Sequence, residues 1–560
     1  MTRTRWYKDA VIYQIYPRSF KDSNGDGIGD IRGIIEKLDY IKDLGVNAVW
    51  LSPCYKSPNA DNGYDISDYR DIMQEFGTLD DWQEMTDGLH FRGIRLIMDL
   101  VVNHTSDEHP WFTESRKSKD NPYRDYYIWR KGRGKNGQRP PNNWTSRFGG
   151  PAWTRDDVTG EWYLRLFTPK QPDLNWDNPK VREEVADICK YWLDKGVDGF
   201  RCDVITYISK REGLPRGKFN PVMCGDEHFT HGPKIHEYLH ELYVNVLSKY
   251  DCMTVGEAAG ATVDTALQYT AEDRQELDTV FHFEHAEADM AMHIFPKKLK
   301  LTHLKEIFER WQFGLAGKAW NSLYYENHDQ PRALGRYTGD FGINRLAAAK
   351  MLAVSYYFQQ GTPYIYQGQE IGMLNYPFVS LDEYKDQFVE QVRKMLGGFE
   401  PILRPIAKKI LLHRARDHAR TSMQWDTSAN AGFTDGTPWF VTHPNYTKIN
   451  VAEAEADENS ILNFYKKLNR YRIGNELIKK GSYLPMFKNH KDIYAYERWY
   501  NGERLVVICN FKNKIVKSKM PGDLVYNKCS LEIHNYGYDR PQLLDQLNLR
   551  PYEALVYKLL

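Results

Sequence analysis

No run of about 18 apolar residues occurs anywhere in this 560-residue chain, so no membrane-spanning helix is expected. The opening stretch MTRTRWYKDAVIYQIYPRSF lacks an apolar core and a small-residue cleavage site, so no secretory signal is expected. No Cys-x-x-Cys pair occurs. The seven cysteines are scattered as Cys54, Cys189, Cys202, Cys224, Cys252, Cys509 and Cys529, which reads as reduced, mostly buried thiols of a cytoplasmic protein. Without a secretion signal, the acceptor patterns at Asn143 and Asn445 read as chance. Neither sign of charge is in excess: 75 basic and 75 acidic side chains cancel, which argues against a nucleic-acid partner on bulk charge. What is plentiful is aromatic area, at 14 % of residues with 15 Trp and 38 Tyr. Such faces suit sugar rings, and they suit a large core equally well.

Eight short apolar runs recur along the chain, at 10–17, 48–53, 94–104, 199–205, 252–258, 278–284, 322–329 and 362–370. Continuous apolar runs of this kind are the mark of parallel strands buried on both faces. Helix-like segments lie between several of them, such as 31–45, with Ile31, Ile34, Ile35, Leu38 and Ile41 on one face, and 79–93. Strands alternating with helices predict βαβ units, and eight of them predict a (β/α)8 barrel. The Pro-, Gly- and Trp-rich text after the third run is too long for a structureless loop. The expected organisation is a barrel over 1–104 and 176–481, a small inserted domain over 105–175, and an antiparallel β-sandwich domain over 482–560. Within the last, short alternating runs such as DIYAYERW and RLVVICNF stand between turns.

In a barrel the chemistry gathers at the C-terminal ends of the strands. Asp99 and His104, Arg201 and Asp203, Glu257, and His328 and Asp329 stand at such ends. A cap or a single ion pair accounts for one such carboxylate but poorly for Asp203, Glu257 and Asp329 together. Two facing carboxyl groups can serve as nucleophile and acid/base in glycoside hydrolysis. Arg201 lies two residues from Asp203 and shares its direction on a strand, so it is expected to hold Asp203 ionised. Glu257 is expected to have no dedicated cation, so that its proton is held more tightly, as a general acid requires.

The motifs DLVVNH (99–104), GFRCDVI (199–205), GEAAG (256–260) and ENHDQ (326–330) resemble the four short motifs of the α-amylase superfamily, glycoside hydrolase family 13. NGYDISDY, QPDLNW and ARTSMQWD narrow the resemblance to its oligo-1,6-glucosidase and α-glucosidase branch. The resemblance covers nearly the whole chain. It implies Asp203 as nucleophile, Glu257 as general acid/base and Asp329 as the carboxylate that grips sugar hydroxyls. It implies His104, Arg201 and His328 as sugar-binding, Asp65 and Arg416 as a pair at the non-reducing end, and Tyr64 as the platform beneath that ring. Asp99 matches a structural residue. Val204, directly after the nucleophile, resembles the residue of the α-1,6-preferring enzymes and is expected to border the aglycone.

The stretch DSNGDGIGD (22–30) has the front half of a calcium-loop spacing, but Gly33 stands where an EF-hand carries its Glu. A solvated Gly/Asp turn accounts for that stretch by itself. The resemblance implies instead a structural calcium site built from Asp22, Asn24, Asp26, Asp30 and the carbonyl of Ile28. Taken together, the expected protein is a retaining exo-α-glucosidase on short α-1,6-linked oligosaccharides, cytoplasmic, and a monomer or weak dimer without nucleic-acid or membrane partners. An α-1,4-glucosidase, a sucrose isomerase or transglucosylase and a trehalose-6-phosphate hydrolase remain alternatives. Against the isomerase, QPRALGRYTGD stands where those enzymes carry an RLDRD-like loop. A non-catalytic transporter subunit fits poorly with three retained carboxylates.

Overall fold

The computed structural model describes residues 3–220, 223–291, 295–339, 342–397, 400–521, 524–536 and 546–560. Each of the eight apolar runs contains a strand: β1 (Ile12–Ile15), β2 (Ala48–Leu51), β3 (Arg95–Leu100), β4 (Gly199–Cys202), β5 (Met253–Glu257), β6 (Thr279–Phe281), β7 (Ser322–Leu323) and β8 (Thr362–Tyr366). They form one sheet in the order β6-β5-β4-β3-β2-β1-β8-β7. The pairs β3–β4, β4–β5, β5–β6, β1–β8 and β7–β8 are parallel. This cyclic order is that of a (β/α)8 barrel. Every residue of β1, β2, β4 and β8 is buried, which explains why these strands read as unbroken apolar text.

The helices follow from local chemistry. The helix Pro179–Asp194 starts where the Asn178 side chain accepts the Lys180 N–H and Pro179 fixes the first turn. Its Val181, Val185, Ile188, Cys189 and Trp192 form one buried stripe. The single helix expected over 31–45 is instead two short helices, Ile31–Glu36 and Leu38–Asp43, broken where Lys37 leaves helical geometry.

The chain divides into two compact units, one of 1–5, 50–90 and 95–282, the other of 6–49, 91–94 and 283–560. The first contains β3–β6 and a three-stranded antiparallel sheet of Trp129–Arg130, Trp162–Leu164 and Trp153–Arg155, the middle one central. That sheet packs on its own core of Ile128, Trp144, Trp153, Leu166, Phe167 and Phe229. The second contains β1, β7, β8 and a C-terminal antiparallel sheet of β9 (Ser482–Met486), β10 (Ile493–Tyr500), β11 (Glu503–Asn510), β12 (Cys529–His534) and β13 (Ala554–Leu559), in the order β9-β10-β11-β13-β12. Ile493, Val506, Ile508 and Leu555 fill its core together with Val516, Leu547 and Leu549 of a second, two-stranded sheet. No disulfide forms among the described residues; six cysteines are buried and Cys529 is half-buried.

The Asp22–Asp30 loop lies in the second unit and is held by Asx turns. Asp22 Oδ1 accepts the N–H groups of Asn24 and Gly25, and its Oδ2 accepts the Gly27 N–H and the Thr434 O–H. Asn24 accepts Asp26 N–H, Asp26 accepts Ile28 N–H, and Asp30 caps the next helix at Gly33 N–H. Gly27 has φ +89° and a Cβ there would lie 1.8 Å from the Thr437 carbonyl oxygen, whereas a Cβ on Gly25, at φ +82°, meets nothing within 4 Å. Gly25→Ala is therefore expected to lose about 1–2 kcal/mol for its left-handed backbone alone. Gly27→Ala adds about 1–3 kcal/mol of overpacking to the same strain. Thermal melts of the two variants check this: equal losses would mean that the close approach to Thr437 carries no weight.

Candidate active site

The candidate residues fall into two clusters, one in each unit. The first is set by strand register. Arg201 on β4 pairs with Asp99 on β3 and with Val255 on β5, so Asp203 and Glu257, each two residues further on, point the same way as Arg201. The Arg201 guanidinium serves all three carboxylates. One terminal nitrogen lies 2.6 Å from Asp99 Oδ1 and 2.5 Å from Asp203 Oδ1, and the other lies 2.5 Å from Glu257 Oε2. Asp99 also accepts the Trp50 indole N–H at 2.8 Å, which fixes it beneath the cluster.

Two expectations are corrected by this geometry. Glu257 is not without a cation, because it shares Arg201 with Asp203. Nor does Arg201 simply hold Asp203 ionised. Burial pushes the Asp203 carboxyl well above its usual range; Arg201 opposes this, while Glu257 and Asp99 add to it. One buried cation facing three carboxylates leaves excess negative charge, and a proton relieves it.

Val204 follows the nucleophile candidate with φ 36° and ψ 37°, a left-handed backbone that strains a β-branched residue. The turn aims its N–H at Glu257 Oε2, 3.2 Å away. Its half-buried side chain rests on the aromatic core of the inserted sheet.

The loop carrying Tyr64 corrects a third expectation. Asp65 is fully buried, and its two oxygens accept the N–H groups of Ala60 and Asp61 at 2.8 and 2.9 Å. Burial outweighs those donors and raises its carboxyl to about 6. Asp65 shapes the turn from a fully buried position. Asp61 takes its place as a candidate: Gln171 Nε2 lies 3.2 Å from Asp61 Oδ2, 3.4 Å from the Tyr64 carbonyl and 3.1 Å from His104 Nε2, which groups the three residues. The Tyr64 ring lies 5.7 Å from the Arg201 guanidinium.

The second cluster surrounds Asp329. Its Oδ2 lies 3.0 Å from His328 Nε2, and its Oδ1 lies 3.0 Å from Arg420 and 3.6 Å from Arg416. Burial works against the charge, but His328, Arg416 and Arg420 together hold the Asp329 carboxyl well below the usual range. Gln14 Nε2 approaches His328 Nδ1 at 2.8 Å, on the side of the ring away from Asp329. Tyr16 stacks on the His328 ring at 6.2 Å. Asp386 accepts both the backbone and the side-chain Nε of Arg416, at 2.7 and 3.0 Å. Sequence reasoning missed Arg420, four residues after Arg416 inside the ARTSMQWD motif. It also missed Gln14, whose signal was a lone polar residue in the apolar strand β1.

Among the described residues, no three His, Cys, Asp or Glu side chains are grouped as metal ligands. In the 22–30 loop the candidate oxygens already accept backbone N–H groups; Asn24 and Asp26 are exposed, while Asp22 and Asp30 are buried.

A parallel barrel with carboxylates and a cation at the ends of β3, β4 and β5 defines an enzyme of the sugar-cleaving kind. The alpha-amylase catalytic-domain family matches residues 14–481, and the chain belongs to that family and is a glycoside hydrolase. It is 54 % identical over 562 residues to the oligo-1,6-glucosidase of Parageobacillus thermoglucosidasius, with 99 % of each chain covered. It is 52 % identical over 564 residues to that of Bacillus cereus, again with 99 % of each covered. Among solved structures, the isomaltulose synthase of Klebsiella sp. LX3 superimposes with a TM-score of 0.95 at 42 % identity over 99 % of both chains.

The two neighbouring aspartates separate in experiment. Asp65→Asn turns one acceptor into a donor facing a buried N–H, and is expected to lower stability by about 1–3 kcal/mol. Asp61→Asn is expected to leave the melting temperature within about 2 °C, since it removes charge and not a turn contact, and to lower kcat/KM about tenfold or more. Denaturant titration and steady-state kinetics of both variants decide it; the reverse pattern would restore Asp65.

Proposed function

We propose that this glycoside hydrolase is an exo-acting, retaining α-glucosidase that prefers short α-1,6-linked oligosaccharides. The observation that carries the reading is the binding of Asp203 and Glu257 to the two ends of one guanidinium, which sets the two carboxyl groups side by side as the close pair of a retaining enzyme requires. The crowded carboxylates around Arg201 retain one proton between them; with that proton on Glu257, Asp203 is ionised and attacks the anomeric carbon as Glu257 gives its proton to the departing glycosidic oxygen. A glucosyl ester on Asp203 results. Glu257, now ionised, takes a proton from water, which displaces Asp203 with a second inversion. Asp329, with His328, Arg416 and Arg420, is assigned to the sugar hydroxyls, and Tyr64, Asp61 and His104 to the non-reducing ring.

The α-1,6 preference is supported by the oligo-1,6-glucosidases among the relatives and by Val204. Asp203→Asn should lower turnover by about a thousandfold or more while the melting curve holds. The parent should cleave isomaltose better than maltose, releasing only glucose. Val204→Ala should shift that ratio toward maltose by about tenfold, the worth of a methylene-scale contact. A parent that prefers maltose overturns the linkage, and an isomeric disaccharide formed from sucrose would point to an isomerase instead.

We also assign a structural calcium ion to Asp22, Asn24, Asp26, Asp30 and the Ile28 carbonyl, outside the chemistry, which needs no metal in this mechanism. Its support is the alternate-oxygen spacing and the Gly27 turn. Calcium should raise the melting temperature and a chelator lower it, through binding to the folded state alone. Turnover at low temperature should stay unchanged. We also assign the protein to the cytoplasm, on its free and mostly buried cysteines; among the described residues no disulfide forms and no helix is long and apolar enough to cross a membrane.

A further inference from the structure

Behind His104 lies a buried ammonium group. The Lys210 side chain is 4 % exposed, and its Nζ lies 2.8 Å from Asp173 Oδ2 and 3.0 Å from Asn103 Oδ1. Asn103 Nδ2 in turn lies 3.2 Å from Asp173 Oδ2 and 3.1 Å from His104 Nδ1. Asp173 is anchored through its other oxygen, which accepts the Leu166 N–H at 2.8 Å.

The direction of the Asn103 amide follows from its neighbours. An ammonium has three donors and no acceptor, so the Asn103 atom beside it is the carbonyl oxygen. Reversing the amide would set its NH2 against the ammonium at 3.0 Å and its oxygen against the Asp173 carboxylate at 3.2 Å. Both contacts would be repulsive, and both would be buried. The amide nitrogen therefore faces His104, and an N–H directed at Nδ1 leaves that ring nitrogen only the acceptor role. The ring proton then sits on Nε2, where it meets the Tyr64 carbonyl at 3.1 Å. Gln171 Nε2 also approaches Nε2, at 3.1 Å, but its own hydrogens reach Asp61 Oδ2 and the Tyr64 carbonyl, and its oxygen is fixed by the Thr168 N–H. Burial holds the His104 ring neutral by pushing it down to about 4, and Lys210 adds to this.

We propose that Lys210 is a positioning residue that, through Asn103, locks His104 in its Nε2–H tautomer. His104 thereby offers a hydrogen-bond donor on its Tyr64 and Asp61 side. This rests on the assignment of His104 to sugar binding, in which a sugar hydroxyl meeting Nε2 is made to accept. Lys210 carries no proton to or from the substrate; it acts by fixing which way an amide points.

The test reads the tautomer directly. In protein labelled with 15N-histidine, the His104 signals are identified by their loss in His104→Gln, and the parent should show a protonated Nε2 and a bare Nδ1. Lys210→Met frees the Asn103 amide to turn, so the Nδ1–H tautomer should appear and kcat/KM on isomaltose should fall about tenfold, the worth of one hydrogen bond. Lys210→Arg, still donor-only, should keep the parent tautomer. Because Lys210→Met leaves Asp173 buried and unpaired, the double variant Lys210→Met/Asp173→Asn is measured beside it. A parent proton on Nδ1, or an Nε2–H retained in both Lys210→Met proteins, overturns the proposal. A tautomer that shifts as expected with kcat/KM unmoved upholds the role of Lys210 and removes His104 from sugar binding.

Discussion

The interaction on which the first cluster depends is the sharing of one guanidinium by three carboxylates. Arg201 is held because burial, which disfavours its charge, is overcome by Asp99, Glu257 and Asp203. A planar fork with nitrogens at both ends can bind carboxylates on either side at once, which a lysine ammonium could not do in fixed directions. The register of β3, β4 and β5 makes this possible, since it brings one residue from each strand to the same guanidinium. The sheet is thus the ruler that sets the spacing of the reacting groups.

Much of the architecture was legible in the sequence because a parallel strand buried on both faces leaves continuous apolar text. β1, β2, β4 and β8 are such strands. The polar residues at strand ends were legible for the same reason: Asp203 and Glu257 stand out against apolar neighbours. What the sequence could not show was partnership across strands. The two-residue rule links Arg201 to Asp203, but Asp99 and Glu257 join them only through register. Asp61 and Asp65 look alike four residues apart. The loop decides between them by closing two N–H groups onto Asp65 and leaving Asp61 beside Gln171. The split of the 31–45 helix at Lys37 was equally invisible, since its apolar spacing runs through the break.

Two histidines, one in each cluster, are governed alike. His104 has an asparagine amide at its Nδ1 and His328 a glutamine amide at its own. In each case a carboxamide takes over the inner face of the ring. A carboxylate in that place would charge the ring. At His104 the neutral amide sets the direction of the proton without changing its number, so that ring serves as a fixed donor. Gln14 reaches its histidine from β1, and Asn103 is the residue before His104, so the same result arises from a distant strand and from an adjacent residue.

The cysteines described with the fold have a practical consequence. Cys54, Cys189, Cys202, Cys224, Cys252 and Cys509 are buried, and burial pushes the thiols of Cys54, Cys189, Cys202, Cys252 and Cys509 up. Cys529 alone is half-buried, on β12 at the edge of the C-terminal sheet. Toward bulky alkylating reagents the native protein is close to a single-thiol protein. A dye or spin label placed there would report on the edge strand without a cysteine having to be engineered, and full labelling of the remaining six would mark loss of the fold.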